Sequence, residues 1–185
     1  IMRKTFLING ASGGMIGAAY FRELYLRKQK GENINLQNPK YVDDIAGDLL
    51  NPIFTSFFAR DLISPAQKFS VGPYRYVKDR GYAFEQKLNS NTRGYLDKQL
   101  KDYVADEKAA NIPLMFFNSV VSRDGRKMII STQPVRFLMK AREDTSRIPA
   151  TDPDAIDFTS FFARQDPFSL RMLTALRMNA TFPVV

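Results

Sequence analysis

A pentapeptide near the start of the chain, Gly10-Ala11-Ser12-Gly13-Gly14, constrains the fold more than any other stretch. It fits Gly-x-Ser-x-Gly and joins two segments of different period. Residues 4–9, KTFLIN, read as a short apolar strand. From about Met15 to Lys28, Ile16, Ala19, Tyr20, Leu24 and Arg27 recur at helical spacing. The basic residues ending that run suit a helix C-terminus, and Gly31 is a natural stop. A strand that turns sharply into a helix is the setting of a nucleophile elbow, where serine is held in strained backbone geometry. Glycines at 10 and 14 are expected there because side chains two residues either side of Ser12 would collide. The turn lifts the Ser12 hydroxyl above the sheet. It also places the Gly13 N–H where an oxyanion would form, in the favourable field of a helix N-terminus. The plainer use of the same residues is a tight glycine turn with Ser12 capping the helix.

The rest of the chain continues the mixture of periods. A polar, Asn-rich connection covers residues 30–40. From Tyr41 to Leu62 the spacing is helical again, with Pro52 splitting the run and Asn51-Pro52 as an N-cap followed by proline at the first helical position. Pro65 and Gly72-Pro73 predict a loop from Ile63 to Arg75. Amphipathic helices are expected at about 82–91 and 95–110, then strands at 113–122 and 127–132. Asp124-Gly125 between those strands is a hairpin signal. A charged loop over 140–153 leads to helices at about 154–164 and 168–178. The heptapeptide FTSFFAR occurs twice, at Phe54–Arg60 and Phe158–Arg164, and reads as two similar core-facing helices. Strands alternating with helices predict an α/β layered domain.

Composition limits the chemistry. The 185 residues contain no histidine and no cysteine. A Cys nucleophile, a disulfide framework, a zinc finger, a His-ligated metal and a Ser-His-Asp triad are all excluded within them. Any base that serves Ser12 is of another kind. The formal charge is +8, from 27 Lys and Arg against 19 Asp and Glu. The longest uncharged stretch, Thr5–Phe21, contains Asn9, Ser12 and four glycines, poor material for a membrane span. Nor does the chain carry the pattern of a signal peptide.

The segment FLINGASGGMIGAAYFRELYLR resembles the nucleophile elbow and following helix of patatin-like phospholipases, especially a bacterial branch with Gly-x-Ser-Gly-Gly-Met. LTALRMNATFPVV, from Leu173 to Val185, is similar to the family segment that places small residues before an aromatic-Pro stretch. The strands flanking Asp124-Gly125 resemble the paired strands in the middle of that fold. The resemblance implies a three-layer α/β/α domain and a Ser-Asp dyad that works without histidine. Ser12 is then the nucleophile, Gly13 supplies an oxyanion donor, Gly10 and Gly14 shape the elbow, and no metal or cofactor is needed. It implies a lipid or phospholipid substrate. Met15 and Phe182 are candidates for lining an acyl pocket, although residues of this kind are more often ordinary core. The family's oxyanion glycine loop precedes the elbow strand, and its dyad aspartate follows the Phe-Pro segment. By that measure residues 1–185 are expected to be part of a single domain, with flanking segments missing at both ends. Asp124 lies too far upstream of that segment to be the dyad base.

Two other readings compete. INGASGGMIGAA looks like the glycine turn of short-chain dehydrogenases, and Tyr74-x-x-x-Lys78 matches their Tyr-x-x-x-Lys pattern. Against a nicotinamide site, the glycines at 10, 14 and 17 are spaced one residue too far, and no acidic residue closes a clear second strand. The third reading is a basic binding module. The first thirty residues carry six basic side chains against one acid, Arg123–Arg147 carries seven against three, and YRYVKDRGY interleaves aromatics with cations. Such a face suits nucleic acid or an anionic membrane surface. A solvated basic face is the commoner explanation, so no nucleic acid is expected, whereas peripheral membrane contact agrees with a lipid substrate.

Overall fold

A computed structural model describes residues 2–61, 67–71, 74–139 and 154–180. The chain is mixed α/β. A mostly parallel sheet has the order β1-β4-β5-β6, from β1 (Leu7–Gly10), β4 (Leu114–Val120), β5 (Lys127–Ile130) and β6 (Ala155–Asp157). β1 pairs with β4 in parallel, Gly10 opposite Phe117. β4 and β5 form the expected antiparallel hairpin, Val120 opposite Lys127, and β6 returns parallel to β5. Asp124-Gly125 is the turn: Gly125 takes φ 74°, and Asp124 accepts from the Arg126 backbone at 3.1 Å.

The elbow helix α1 (Ser12–Gln29) starts three residues earlier than the spacing predicts and stops where expected, with Gly31 left-handed at φ 92°. Met15, Ile16, Ala19, Tyr20 and Leu24 are its buried face. They pack with Phe117, Ile130 and the core-facing Met172, Leu173, Ala175 and Leu176 of α7 (Met172–Ala180) into one core cluster. Beneath that core Arg22, 1% exposed, pairs with Glu107 at 2.6 Å and donates to the Pro113 carbonyl at 2.9 Å. Thr132 Oγ1 donates to the second Glu107 oxygen. The guanidinium also lies 4.5 Å from the Tyr103 ring centroid. The buried charge thus meets a carboxylate, a carbonyl and an aromatic face.

Three expectations need correction. The 41–62 run is split as expected, but the break falls at 47–49 rather than at Pro52: α2 (Lys40–Ala46) and α3 (Leu50–Ser56) are followed by a π turn over Phe57–Asp61. The N-cap position of α3 is Leu49, and the carboxylate of Asp48 just before it accepts from Leu50 and Asn51 N–H at 2.9 and 3.0 Å, so Asn51 already lies inside the helix. These backbone donors hold Asp48 below the usual aspartate range. The expected loop 63–75 contains strand β2 (Lys68–Val71), which pairs with β3 (Tyr74–Val77) in a separate sheet. Aromatic alternation on either side of the Gly-Pro pair overrides the loop signal. The predicted helix at 154–164 is instead β6 followed by the short α6 (Phe158–Phe161). All three β6 residues are buried, so a strand this short shows no alternation to read.

The two remaining amphipathic helices are α4 (Arg80–Asn91), capped by Asp79 through Tyr82 N–H at 2.8 Å, and α5 (Lys101–Lys108). Of the residues 95–110 expected to be helical, 95 and 96 are turn, and the helix begins only at Lys101. The heptapeptide repeat is not a structural one. Its first copy buries Ser56 and exposes Phe54 and Phe58, whereas its second buries Phe158 and Thr159 and exposes Phe161. The two copies therefore do not present one shared core-facing pattern. The 140–153 loop and Phe182 lie outside the described residues.

Candidate functional site

β1 delivers the chain to Gly10, and α1 carries it away from Ser12. Ala11 is the N-cap, with extended backbone at φ −139° and ψ 157°, and no side chain caps the helix. Ser12 itself lies in the left-handed region at φ 58°. The capping role is therefore not the one Ser12 plays. The other left-handed non-glycine residues have different settings. Arg93 and Ala110 sit just past the ends of α4 and α5, where left-handed closure of a helix is routine. Asp166 precedes a proline and a single 3-10 turn. Among the described residues Ser12 alone combines a left-handed, non-glycine conformation with the start of an α-helix, where the entry is ordinarily extended. A strained residue at such a place is a mark of functional geometry.

Ala11, Gly13 and Gly14 are exposed and Ser12 is half-buried, so the elbow is open to solvent. Gly13 belongs to the first turn of α1, whose N–H groups have no partner within the helix. The steric reason for the two outer glycines is not borne out. A Cβ at Gly10 would meet Met15 Sδ at 3.5 Å, an ordinary contact, and one at Gly14 would meet nothing within 4 Å. β1 is the edge strand of its sheet, so among the described residues no further strand crowds the turn. Met15 itself is buried in the core.

Around the elbow stands a cluster of amides that the sequence reading missed. Asn118 Nδ2 donates to Asn9 Oδ1 at 2.7 Å and to the Gly10 carbonyl at 3.1 Å. Asn179 Nδ2 donates to the Gly10 carbonyl at 3.0 Å and to the Asn118 carbonyl at 2.9 Å. A signal for Asn179 was present. Met172, Ala175, Leu176 and Asn179 share one helical face, and the first three are apolar and buried. A polar residue on such a face needs a partner. Among the described residues none hydrogen-bonds the Ser12 hydroxyl, and Asp124 is occupied by Arg126 at the far end of its hairpin.

The features of the competing readings are dispersed. Tyr74 begins β3 and Lys78 follows it, in a different sheet from the glycine turn, and α1 leads into α2 rather than into a second strand. Within the first thirty residues Arg22, Arg27 and Lys30 are engaged by Glu107, Glu23 and Asp106, which reduces the basic face counted from the sequence. Tyr76 and Tyr82 of the aromatic-basic stretch pack on Phe69, with ring centroids 5.5 and 5.0 Å apart. An open cleft of about 760 Å³ between α3 and α4 is lined by Asn51, Thr55, Tyr82, Gln86 and Lys87, and no elbow residue reaches it. No helix among the described residues is long and apolar enough to cross a membrane. No family model, no curated protein and no solved structure matches the chain.

Proposed function

We propose that the chain carries the nucleophile elbow of a serine-dependent lipid acyl hydrolase of patatin-like, three-layer type. One observation carries the reading: Ser12 takes left-handed backbone geometry between β1 and α1 and leaves the helix uncapped. A capping serine would be extended and bonded to the first turn. In this proposal Ser12 Oγ attacks an ester carbonyl while its proton passes to a carboxylate, the dyad base, which lies outside the described residues. The Gly13 N–H stabilises the oxyanion. Collapse of the tetrahedral intermediate expels the alcohol, which takes up the proton, and an acyl-serine remains. Water then attacks that ester and gives its proton to the same base, which passes it to the departing Ser12 Oγ as the fatty acid is released. The absence of histidine from the sequence agrees with a carboxylate base. Leu50, Phe54 and Phe58 point outward at spacings of four residues along α3 and the π turn, an apolar strip suited to a lipid surface.

The test is covalent labelling. The full protein is treated with a fluorophosphonate probe, which phosphonylates an activated serine. Labelling that Ser12→Ala abolishes, with the fold retained by circular dichroism, is the expected result. A folded wild-type protein that takes no label removes the hydrolase reading.

A further inference from the structure

The Gly10 carbonyl is the last acceptor of β1 before the chain turns, and it receives two amide N–H groups from separate, distant parts of the sequence. Asn118 comes from β4, the neighbouring strand, and Asn179 from the last turn of α7. The orientation of the Asn179 amide follows from chemistry. Its Nδ2 faces the carbonyls of Gly10 and Asn118, so the flipped amide would set oxygen against two acceptors. Asn179 is 8% exposed, and its Oδ1 is buried without a hydrogen-bond partner among the described residues. Leaving such an acceptor unpaired is unfavourable. The donating edge of this amide is thus fully used, while its Oδ1 meets no donor among the described residues.

We infer that Asn118 and Asn179 are positioning residues of the elbow, clamping the Gly10–Ala11 peptide so that the chain must turn left-handed at Ser12. The physical reason is short. The left-handed state is uphill for serine and persists only where the surroundings determine it. Rotation of the peptide that precedes Ala11 is the direct route by which that strain would relax. Two donors on one carbonyl oxygen oppose the rotation, and their own positions are fixed by different elements. Asn118 is further tied to Asn9 at 2.7 Å and Asn179 to the Asn118 backbone at 2.9 Å, so the clamp is cross-braced. Its catalytic consequence rests on the proposed role of Ser12; its structural content does not.

The experiment therefore has two readouts on the full protein. In isotope-labelled wild type, Asn179→Ala and Asn118→Ala, the Gly10 carbonyl ¹³C shift reports the accepted bonds, and three-bond couplings report φ at Ser12. Each variant is expected to move the Gly10 carbonyl upfield and the Ser12 couplings toward negative φ. The limiting rate of fluorophosphonate labelling is expected to fall by about tenfold to a hundredfold, as for misplaced reacting groups. The half-saturating probe concentration should stay unchanged, a split that general loosening of the fold would not give. Asn118 is only half-buried, so Asn118→Ala carries the test if Asn179→Ala does not fold. Unchanged carbonyl shift and couplings in the folded variants overturn the clamp. The NMR readout decides the clamp whether or not wild type is labelled, while a folded, unlabelled wild type counts against the hydrolase reading alone.

Discussion

Replacing Ser12 by glycine inverts an ordinary rule, and the sign of the effect tests the elbow without any substrate. In a right-handed helix the stability order is Ala, then Ser, then Gly, with Ser→Gly costing about 0.5 kcal/mol. At φ 58° the order changes. A side chain in the left-handed region costs about 1–2 kcal/mol, a penalty that glycine escapes. Against this stands the larger entropy that glycine loses on folding, about 0.5–1 kcal/mol. Ser12 makes no side-chain cap bond, so none is forfeited. The balance favours Ser12→Gly by up to about 1.5 kcal/mol, or a rise in Tm of up to about 6 °C for a chain of this size. Ser12→Ala keeps the strain and should lie within about 0.5 kcal/mol of wild type. Ser12→Val sets a β-branched side chain at positive φ and should be the least stable of the three. Thermal unfolding gives the order directly, and urea midpoints at unchanged m-value check it. If alanine stabilises and glycine destabilises, Ser12 is an ordinary helical residue and the elbow argument fails.

Three further perturbations follow from the packing. Removing one member of the buried Arg22–Glu107 pair, as in Arg22→Met, should cost about 3–5 kcal/mol; Arg22→Met with Glu107→Leu should recover most of it, and a double-mutant cycle from denaturant titrations measures the coupling. Asp157 accepts from Thr159 N–H and from the Thr159 and Ser160 hydroxyls, so Asp157→Ala should lower stability by about 1–2 kcal/mol, seen as a lower urea midpoint. Partial burial works against ionisation of Asp106, but hydrogen bonds from Lys30 and Asn111 outweigh it and hold the carboxyl below the usual aspartate range. Its stabilising contribution is present above the unfolded value of about 3.9 and is lost as the pH falls through the lower folded value. Asp106→Asn should therefore flatten the fall of Tm in acid.

The parts of the fold that could be read from sequence are those whose signals are local. The β1 run, the glycine turn, the period of α1 and the Asp124-Gly125 hairpin each lie within a few consecutive residues. The glycine turn and the hairpin are found where they were expected, while β1 is shifted from 4–9 to Leu7–Gly10, behind a 3-10 turn at Met2–Lys4, and α1 keeps its period but begins three residues early. The failures have a common cause in distant context. β6 is a strand because it lies beside β5 with all three residues buried, and nothing in Asp154-Ala155-Ile156-Asp157 states this locally. FTSFFAR shows the same effect in one molecule. An identical heptapeptide buries Ser56 in one copy and Phe158 in the other, because different neighbours await each.

The candidate site divides along the same line. Ser12 announces itself because its glycines are adjacent, but collision does not explain them: a Cβ would make an ordinary contact at Gly10 and none at Gly14. What the elbow requires is the turn, and the groups that hold it come from residues 108 and 169 positions away. The second of these was foreshadowed without being located. Asn179 falls in register with Met172, Ala175 and Leu176 on the face of α7 that enters the core. Burying an amide there is unfavourable unless its N–H groups are met. The helix therefore already implied acceptors on the surface it covers. One of the two is the carbonyl that precedes the elbow, so a polar residue in an apolar register marked the edge of the site before any base for Ser12 could be named.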